Sequence, residues 1–378
     1  MVSTGHYLAT SAGYRILEQG GNATDAGVAA GLALNVVLPQ YTSFGGVAPI
    51  LVHDAAKNET RSISGLGRWP QAASIDYFNQ HCNGEIPSGI LRTVTPAAAD
   101  GWMTSLKLYG TMTFEQVVTP ALELAEGGFP IPESLHRALV QASDTQKWSS
   151  TSEVFYSNGK PLRIGDVLVQ KDLACTFRRL IEVERGNTSQ GREGAIQAAR
   201  DFFYTGEIGQ EMARFNEQQG GLLSLEDLDS FHVGVDIPPK VNYKGIDVYT
   251  CGPWCQGPVT LQTLSILEGY DLRRMGHNSV EYIHTVLEAL KMAFADRHAF
   301  YGDPDFVDVP MEGLLNQAYS AYRRSLIDPN LASPGMPEAG DPWAYQGGAR
   351  PTMQTAHPEP VSGRLESDTS YICSVDRW

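Results

Sequence analysis

Glu366-Ser367-Asp368-Thr369-Ser370-Tyr371-Ile372-Cys373-Ser374-Val375-Asp376-Arg377 sets a threonine immediately ahead of a β-prone run. Tyr371, Ile372, Val375 and Trp378 supply the aromatic and β-branched side chains of a strand. The preceding segment, 333–363, is rich in Pro and Gly and reads as loop. A loop therefore feeds a strand that begins near Thr369. If the bond between Asp368 and Thr369 is broken, Thr369 becomes an amino terminus whose amine lies beside its own hydroxyl. Such an α-amino group titrates at about 7.7 to 8.0, so near neutral pH part of it is free to take the hydroxyl proton as the oxygen attacks a carbonyl. Before cleavage the same hydroxyl can attack the Asp368 carbonyl, giving an ester that water opens. Asp-Thr-Ser by itself fits an ordinary strand threonine equally well, so the remainder of the chain has to decide.

Other stretches point the same way and keep their order along the chain. They are His6-Tyr-Leu-Ala-Thr-Ser-Ala-Gly13, Ile16-Leu-Glu-Gln-Gly-Gly-Asn-Ala-Thr-Asp-Ala26, Pro39-Gln40 and Phe44-Gly-Gly46. Further on come Phe203-Tyr-Thr-Gly-Glu207, Gly220-Gly-Leu-Leu-Ser-Leu-Glu-Asp-Leu228, Ile266-Leu-Glu-Gly269, Ala295-Asp-Arg297 and Tyr301-Gly-Asp-Pro-Asp-Phe-Val-Asp-Val-Pro310. With Asp-Thr-Ser-Tyr and Ser374-Val375-Asp376, they resemble the γ-glutamyltranspeptidase family of N-terminal-nucleophile hydrolases over nearly the whole chain. The resemblance implies an α/β fold, a four-layer αββα sandwich. It also implies self-cleavage between Asp368 and Thr369, with 1–368 as the large subunit and 369–378 as the opening of the small one. Thr369 would carry the acyl-enzyme, with Ser370 and Tyr371 supporting it. The implied partners are a small-molecule amide and the cleaved small subunit, as an αβ heterodimer or a dimer of such heterodimers.

One position departs from the family. The pattern Arg-Glu-x-Ala-Pro, whose arginine holds the α-carboxylate of a γ-glutamyl donor, is replaced here by Leu66-Gly-Arg-Trp-Pro70. Leu66 stands in place of that arginine. Removing a guanidinium that grips a carboxylate costs about 2 to 5 kcal/mol for a buried pair, and leucine offers no substitute. Arg68 and Arg92 are the neighbouring cations that could receive a different acid group, although either residue type is more often a surface charge. The resembled family includes acylases and small-acid amidohydrolases such as oxamate amidohydrolase, and the latter would need one cation for a short carboxylate. The resemblance thus implies the amide of a small, oxamate-like acid as substrate. A glutathione-type γ-glutamyl donor and a catalytically silent structural or binding role stay open at this point.

Bulk properties narrow the field further. The 378 residues are 42% hydrophobic and 19% charged, enough for a large core. A net charge of −15 argues against nucleic acid and anionic membrane surfaces, which require concentrated Lys and Arg. No secretory leader pattern opens the given sequence, so the expected compartment is the cytoplasm, or the periplasm if a leader has been removed. The five cysteines are odd in number and scattered, which argues against a disulfide framework; Cys251-Gly-Pro-Trp-Cys255 is the one close pair and reads as a loop with two free thiols. No phosphate loop, dinucleotide fingerprint or metal-ligand spacing is present, so neither cofactor nor metal is expected.

Periodicity predicts helices over 8–19, closed by Gly20-Gly21, and over 23–38, where small residues favour close backbone approach. The second run is too short for a membrane span, which needs about 20 apolar residues. Gly45-Gly46 leads into an expected buried strand at 47–53, with a second strand at 60–64. Helices are expected over 97–109 and, from the capping box Thr113-Phe-Glu-Gln116, up to Gly127-Gly128, with Pro120 kinking the latter or delaying its start. Lys171–Arg185 reads as helix, 187–194 as a polar mobile loop, and 240–249 as a hairpin around Lys244-Gly245. In the helix expected over 278–300, capped at Asn278, the stripe Val280, Ile283, Val286, Leu287, Leu290 and Phe294 is expected to face the core. His284, Glu288, Asp296 and His298 of that helix are expected on a solvated face or in a supporting role.

Overall fold

The computed structural model describes residues 1–347 and 369–377, which fall into two compact units. The first comprises Met1–Lys57, Gly65–Gly234 and 369–377; the second comprises Asn58–Ser64 and 235–347.

In the first unit, helix Tyr7–Glu18 ends where Gly20 adopts a φ of 91°, and helix Ala23–Val37 follows at once. The second of these starts in a capping box: Asn22 Oδ1 accepts from Asp25 N and Asp25 Oδ2 accepts from Asn22 N, both at 2.9 Å. Asp25 is fully buried and has further donors, namely Thr111 N (2.9 Å), Thr111 Oγ1 (2.7 Å) and Met112 N (3.1 Å). One carboxylate thereby joins the start of this helix to the turn between helices Ala98–Tyr109 and Phe114–Gly127. Close approach follows from small residues, as expected. A Cβ on Gly13 would come within 2.8 Å of Ala26 O, and one on Gly31 would strike the Trp102 ring at 2.6 Å. Around this pair, helices Lys171–Gly186 and Gly191–Tyr204 add Phe177 and Phe203, which meet Phe44 edge-on with centroids 5.3 and 5.1 Å apart. Burying each such ring contributes about 1.5 to 3 kcal/mol.

Three local expectations for this unit are corrected. Helix Phe114–Gly127 runs unbroken through Pro120. Its first turn is held by the Thr113/Gln116 box and by the buried Glu184 carboxylate, which accepts from Phe114 N (2.6 Å) and Glu115 N (2.8 Å). In place of a loop over 187–194, the 3₁₀ turn Thr188–Gln190 leads straight into helix Gly191–Tyr204, with Gly191 at φ 76°. Polar side chains there bond locally: Asn187 Nδ2 donates to Val183 O and Gln190 Nε2 to Asn187 Oδ1, both at 2.8 Å. The strand after Gly46 is Ile50–Asp54 and is buried on one side only, with Leu51 and His53 exposed between half-buried neighbours.

In the second unit, strand Glu59–Ile63 pairs antiparallel with Val235–Asp236, and the hairpin Lys240–Tyr243/Ile246–Tyr249 turns through Lys244 (φ 50°) and Gly245 (φ 88°). Helix Val280–Phe300 is capped by Ser279, whose Oγ accepts from Tyr282 N at 3.1 Å; Asn278 takes a φ of 56° outside the helix. The expected stripe is split. Val280, Ile283 and Leu287 are exposed by 87, 44 and 51%, while Val286, Leu290 and Phe294 are half buried, with Val286 packed on the core. The buried residues are Thr285, Glu288, Ala289, Met292, Ala293, Ala295 and Asp296. Ala289 and Met292 of this face share a small apolar cluster with Ile266 and Leu267 of helix Gly257–Leu267. Nor are the acids solvated: Asp296 pairs with Arg323 (3.2 Å) and accepts from Tyr319 OH (2.8 Å), Gln262 Nε2 (3.1 Å) and Gly340 N (2.9 Å). Glu288 pairs with Lys291 (2.7 Å), and His284 Nε2 meets Asp328 O (2.8 Å). Among the described residues no group of three His, Cys, Asp or Glu gathers to hold a metal, and no helix is long and apolar enough to cross a membrane.

Replacing Asp25 by Ala removes the acceptor of the buried Met112 N–H and of the part-buried N–H groups of Asn22 and Thr111. The expected loss is on the order of 2 to 4 kcal/mol, read as a lowered denaturation midpoint, with Asp25→Asn recovering part of it.

Candidate active site at the C-terminal strand

Strand Ile372–Ser374 pairs antiparallel with Val2–Thr4, setting Val2 opposite Ser374 and Thr4 opposite Ile372. On its other side it is tied to the helix Ala23–Val37 at the first residue. Ser374 Oγ donates to Ala23 O (2.7 Å), and the Asp376 carboxylate accepts from Ala23 N (2.6 Å). That carboxylate meets the positive end of a 15-residue helix, a favourable placement for its charge. Ile372 packs into the apolar core of this unit. The strand is therefore held on two sides.

Thr369 stands three residues ahead of this anchored strand and is exposed. Next to it the Ser370 hydroxyl is enclosed without a hydrogen-bond partner among the described residues, and a Cβ on Gly5 would overlap it. Tyr371 is turned outward, 76% exposed. Asp368 lies outside the described residues. The turn that carries Gly5 is set by its neighbours: His6 Nδ1 caps the first helix by accepting from Leu8 N (3.2 Å), and Thr4 Oγ1 donates to His6 O (2.7 Å). Burial holds the His6 imidazole below its ordinary pKa, in keeping with a ring nitrogen that must stay an acceptor.

The two candidate cations are exposed, and their segments are brought together: Thr95 N donates to Arg68 O at 2.9 Å. The Arg92 guanidinium donates to Ile86 O (3.3 and 3.1 Å). Leu66 is half buried. At Gly67 any Cβ would overlap Thr95 O, so a side chain there requires the backbone to move.

Residues 9–378 match the family described as Gamma-glutamyltranspeptidase. The chain belongs to the gamma-glutamyltranspeptidase family. It is similar to the glutathione hydrolase proenzyme of Bacillus subtilis (strain 168), 33% identical over all of this chain and 62% of that protein. The acylase ACY 1 proenzyme of Pseudomonas sp. (strain SE83) is 32% identical over 86% of this chain and 58% of its own length. The chain thus spans less than two thirds of the curated relatives it matches. Among solved structures, Helicobacter pylori gamma-glutamyltranspeptidase superposes with a TM-score of 0.82 at 29% identity, covering 92% of this chain and 97% of that one. The cephalosporin acylase from Bacillus halodurans gives 0.77 at 28% identity, over 86% and 59%. These neighbours bear out the expected α/β fold, the four-layer αββα sandwich of N-terminal-nucleophile hydrolases.

Sequence reasoning singled out Thr369 but passed over the residues that seat its strand. Asp376 lies within the same motif, and its use as a cap on a helix 353 positions away has no local signature. Gly5 and Asp25 were likewise unassigned, although Asn22-x-x-Asp25 spells a capping pattern.

Two outcomes test this seating. Asp376→Ala is expected to speed amide exchange in Val2–Thr4 and Ile372–Ser374 by about tenfold or more, since a bond from a charged acceptor to Ala23 N is lost. Because the folded pKa of His6 is depressed, its contribution is present above the ordinary value of 6.5 and is lost as pH falls from there through the folded pKa. Exchange at Leu8 should accelerate over that window, and His6→Asn should remove the pH dependence while keeping a cap.

Proposed function

We propose that this chain carries an autoprocessing N-terminal-threonine amidohydrolase, with Thr369 as its nucleophile. The observation that carries the reading is the position of Thr369 at the head of a strand locked to both Val2–Thr4 and Ala23, in a member of this family. In the proposed maturation Thr369 Oγ1 attacks the Asp368 carbonyl carbon, the acyl group moves from nitrogen to oxygen, and water hydrolyses the ester. Residues 1–368 then form the large subunit, and 369–378 open the small subunit, which is the partner. In turnover the freed α-amine takes the Oγ1 proton as the oxygen attacks the substrate amide. The leaving amine departs with that proton, and water releases the acid. Ser370 and Tyr371 flank the nucleophile. Hydroxyl and amine suffice for this chemistry, so no cofactor is invoked. Five free cysteines support a reducing compartment, the cytoplasm.

The proposed substrate is the amide of a small acid, oxamate-like, with Arg68 or Arg92 receiving its carboxylate. Leu66 and the crowded Gly67 support it, since neither position offers a charge to a glutamyl group. A γ-glutamyl donor is the second reading, favoured by the relatives named glutathione hydrolases.

Thr369→Ala should remain one polypeptide without activity; two fragments on a denaturing gel of that variant would end the assignment. In the full-length enzyme, kcat/KM for oxamate is expected to exceed that for γ-glutamyl-p-nitroanilide, and the reverse order would select the second reading. Activity should rise with pH through about 7.7 to 8.0 as the terminal amine loses its proton.

A further inference from the structure

The second unit carries a pair of thiols that the proposed hydrolysis does not use. Cys251 and Cys255 are both half buried and not joined, at the two ends of the turn that enters helix Gly257–Leu267. Cys255 N donates to Gly252 O (3.1 Å), which closes the turn, and the Cys255 sulfur accepts from Gly257 N (3.3 Å) at the first residue of the 11-residue helix. Cys251 presses on the same residue: a Cβ at Gly257 would overlap the Cys251 carbonyl oxygen. Both cysteines therefore sit against Gly257, one from each end of the turn.

We propose that Cys251 and Cys255 form a redox pair in which Cys255 attacks a low-molecular-weight disulfide and Cys251 resolves the adduct into an intramolecular disulfide. The electronic asymmetry suits these roles. The Cys255 thiol donates to Gly252 O (3.4 Å) when protonated; the neighbouring Cys251 thiol, with backbone N–H groups of Gly257 and Gln256, lowers it to about 7, which favours Cys255 as the attacking sulfur. Cys251, beside Cys255 and desolvated, is pushed up and stays a thiol until its partner is consumed. The other titratable group facing Cys255 is Tyr301, whose phenol is pushed up by burial and donates to Gln262 Oε1 (2.8 Å), so it remains neutral. In the first step the Cys255 thiolate displaces one thiolate from the disulfide RSSR. In the second, Cys251 loses its proton to solvent and its sulfur displaces the other RS⁻ from Cys255. Two protein thiols are oxidised and RSSR is reduced to two RSH.

The test uses the full chain and oxidised glutathione. The tryptic peptide 245–273 contains both cysteines. It is expected to lose two hydrogens and to regain them with dithiothreitol. Alkylation of Cys255 should be several-fold faster at neutral pH than that of exposed Cys175, with a midpoint near 7. Cys251→Ser should halt at a glutathione adduct on Cys255, and Cys255→Ser should leave Cys251 unmodified. The proposal is overturned if peptide 245–273 keeps both thiols while Cys175 is glutathionylated. It is equally overturned if Cys251 reacts undiminished in Cys255→Ser. Thr369→Ala should form the same disulfide, which separates this outcome from that of the hydrolase reading.

Discussion

A single buried carboxylate organises the first unit. Asp25 has no access to water, so its charge must be satisfied by protein donors, and it collects backbone N–H groups from residues 22, 111 and 112 together with the Thr111 hydroxyl. Those donors belong to segments far apart in sequence. Fixing them to one point determines where the helix Ala23–Val37 begins relative to the helices Ala98–Tyr109 and Phe114–Gly127. Leaving even one such group unpaired in the interior costs more than the bond contributes, and this asymmetry makes the arrangement hard to rearrange.

The consequences reach the C-terminal strand. Ala23, the first residue of the helix that Asp25 positions, is the residue to which Ser374 and Asp376 attach. A nucleophile at Thr369 would gain its placement through this chain of contacts, from carboxylate to helix start to strand. The enclosed Ser370 hydroxyl beside Gly5 shows how little space separates the strand from the turn ahead of the first helix. Preorganisation of this kind suits an enzyme whose general base is carried on the nucleophilic residue itself.

Near Leu66 the structure adds a steric constraint: Gly67 lies so close to Thr95 O that the local backbone path is built for a residue without a side chain. Arg68 and Arg92 sit on neighbouring segments that a backbone hydrogen bond from Thr95 N to Arg68 O joins.

Much was legible from local chemistry. The capping box at Thr113, the hairpin at Lys244-Gly245, the glycine stop at Gly20 and the strand after Thr369 depend on side chains acting within a few residues, and each formed as read. The helix Val280–Phe300 was legible as a helix, but its buried face was not. Its apolar stripe and its Ala/acid face are both compatible with packing, and only Arg323, Gln262 and Tyr319, arriving from elsewhere, could neutralise Asp296 and draw that face inward. The tertiary structure likewise decided that Pro120 is tolerated, that a turn and a helix start replace a loop over 187–194, and that Asp376 caps a helix from the opposite end of the chain. Sequence alone determined the elements and the family motif, because these are written in short-range patterns. Three-dimensional packing chose the faces and anchors, because the energy of a buried charge depends on partners that no local pattern names.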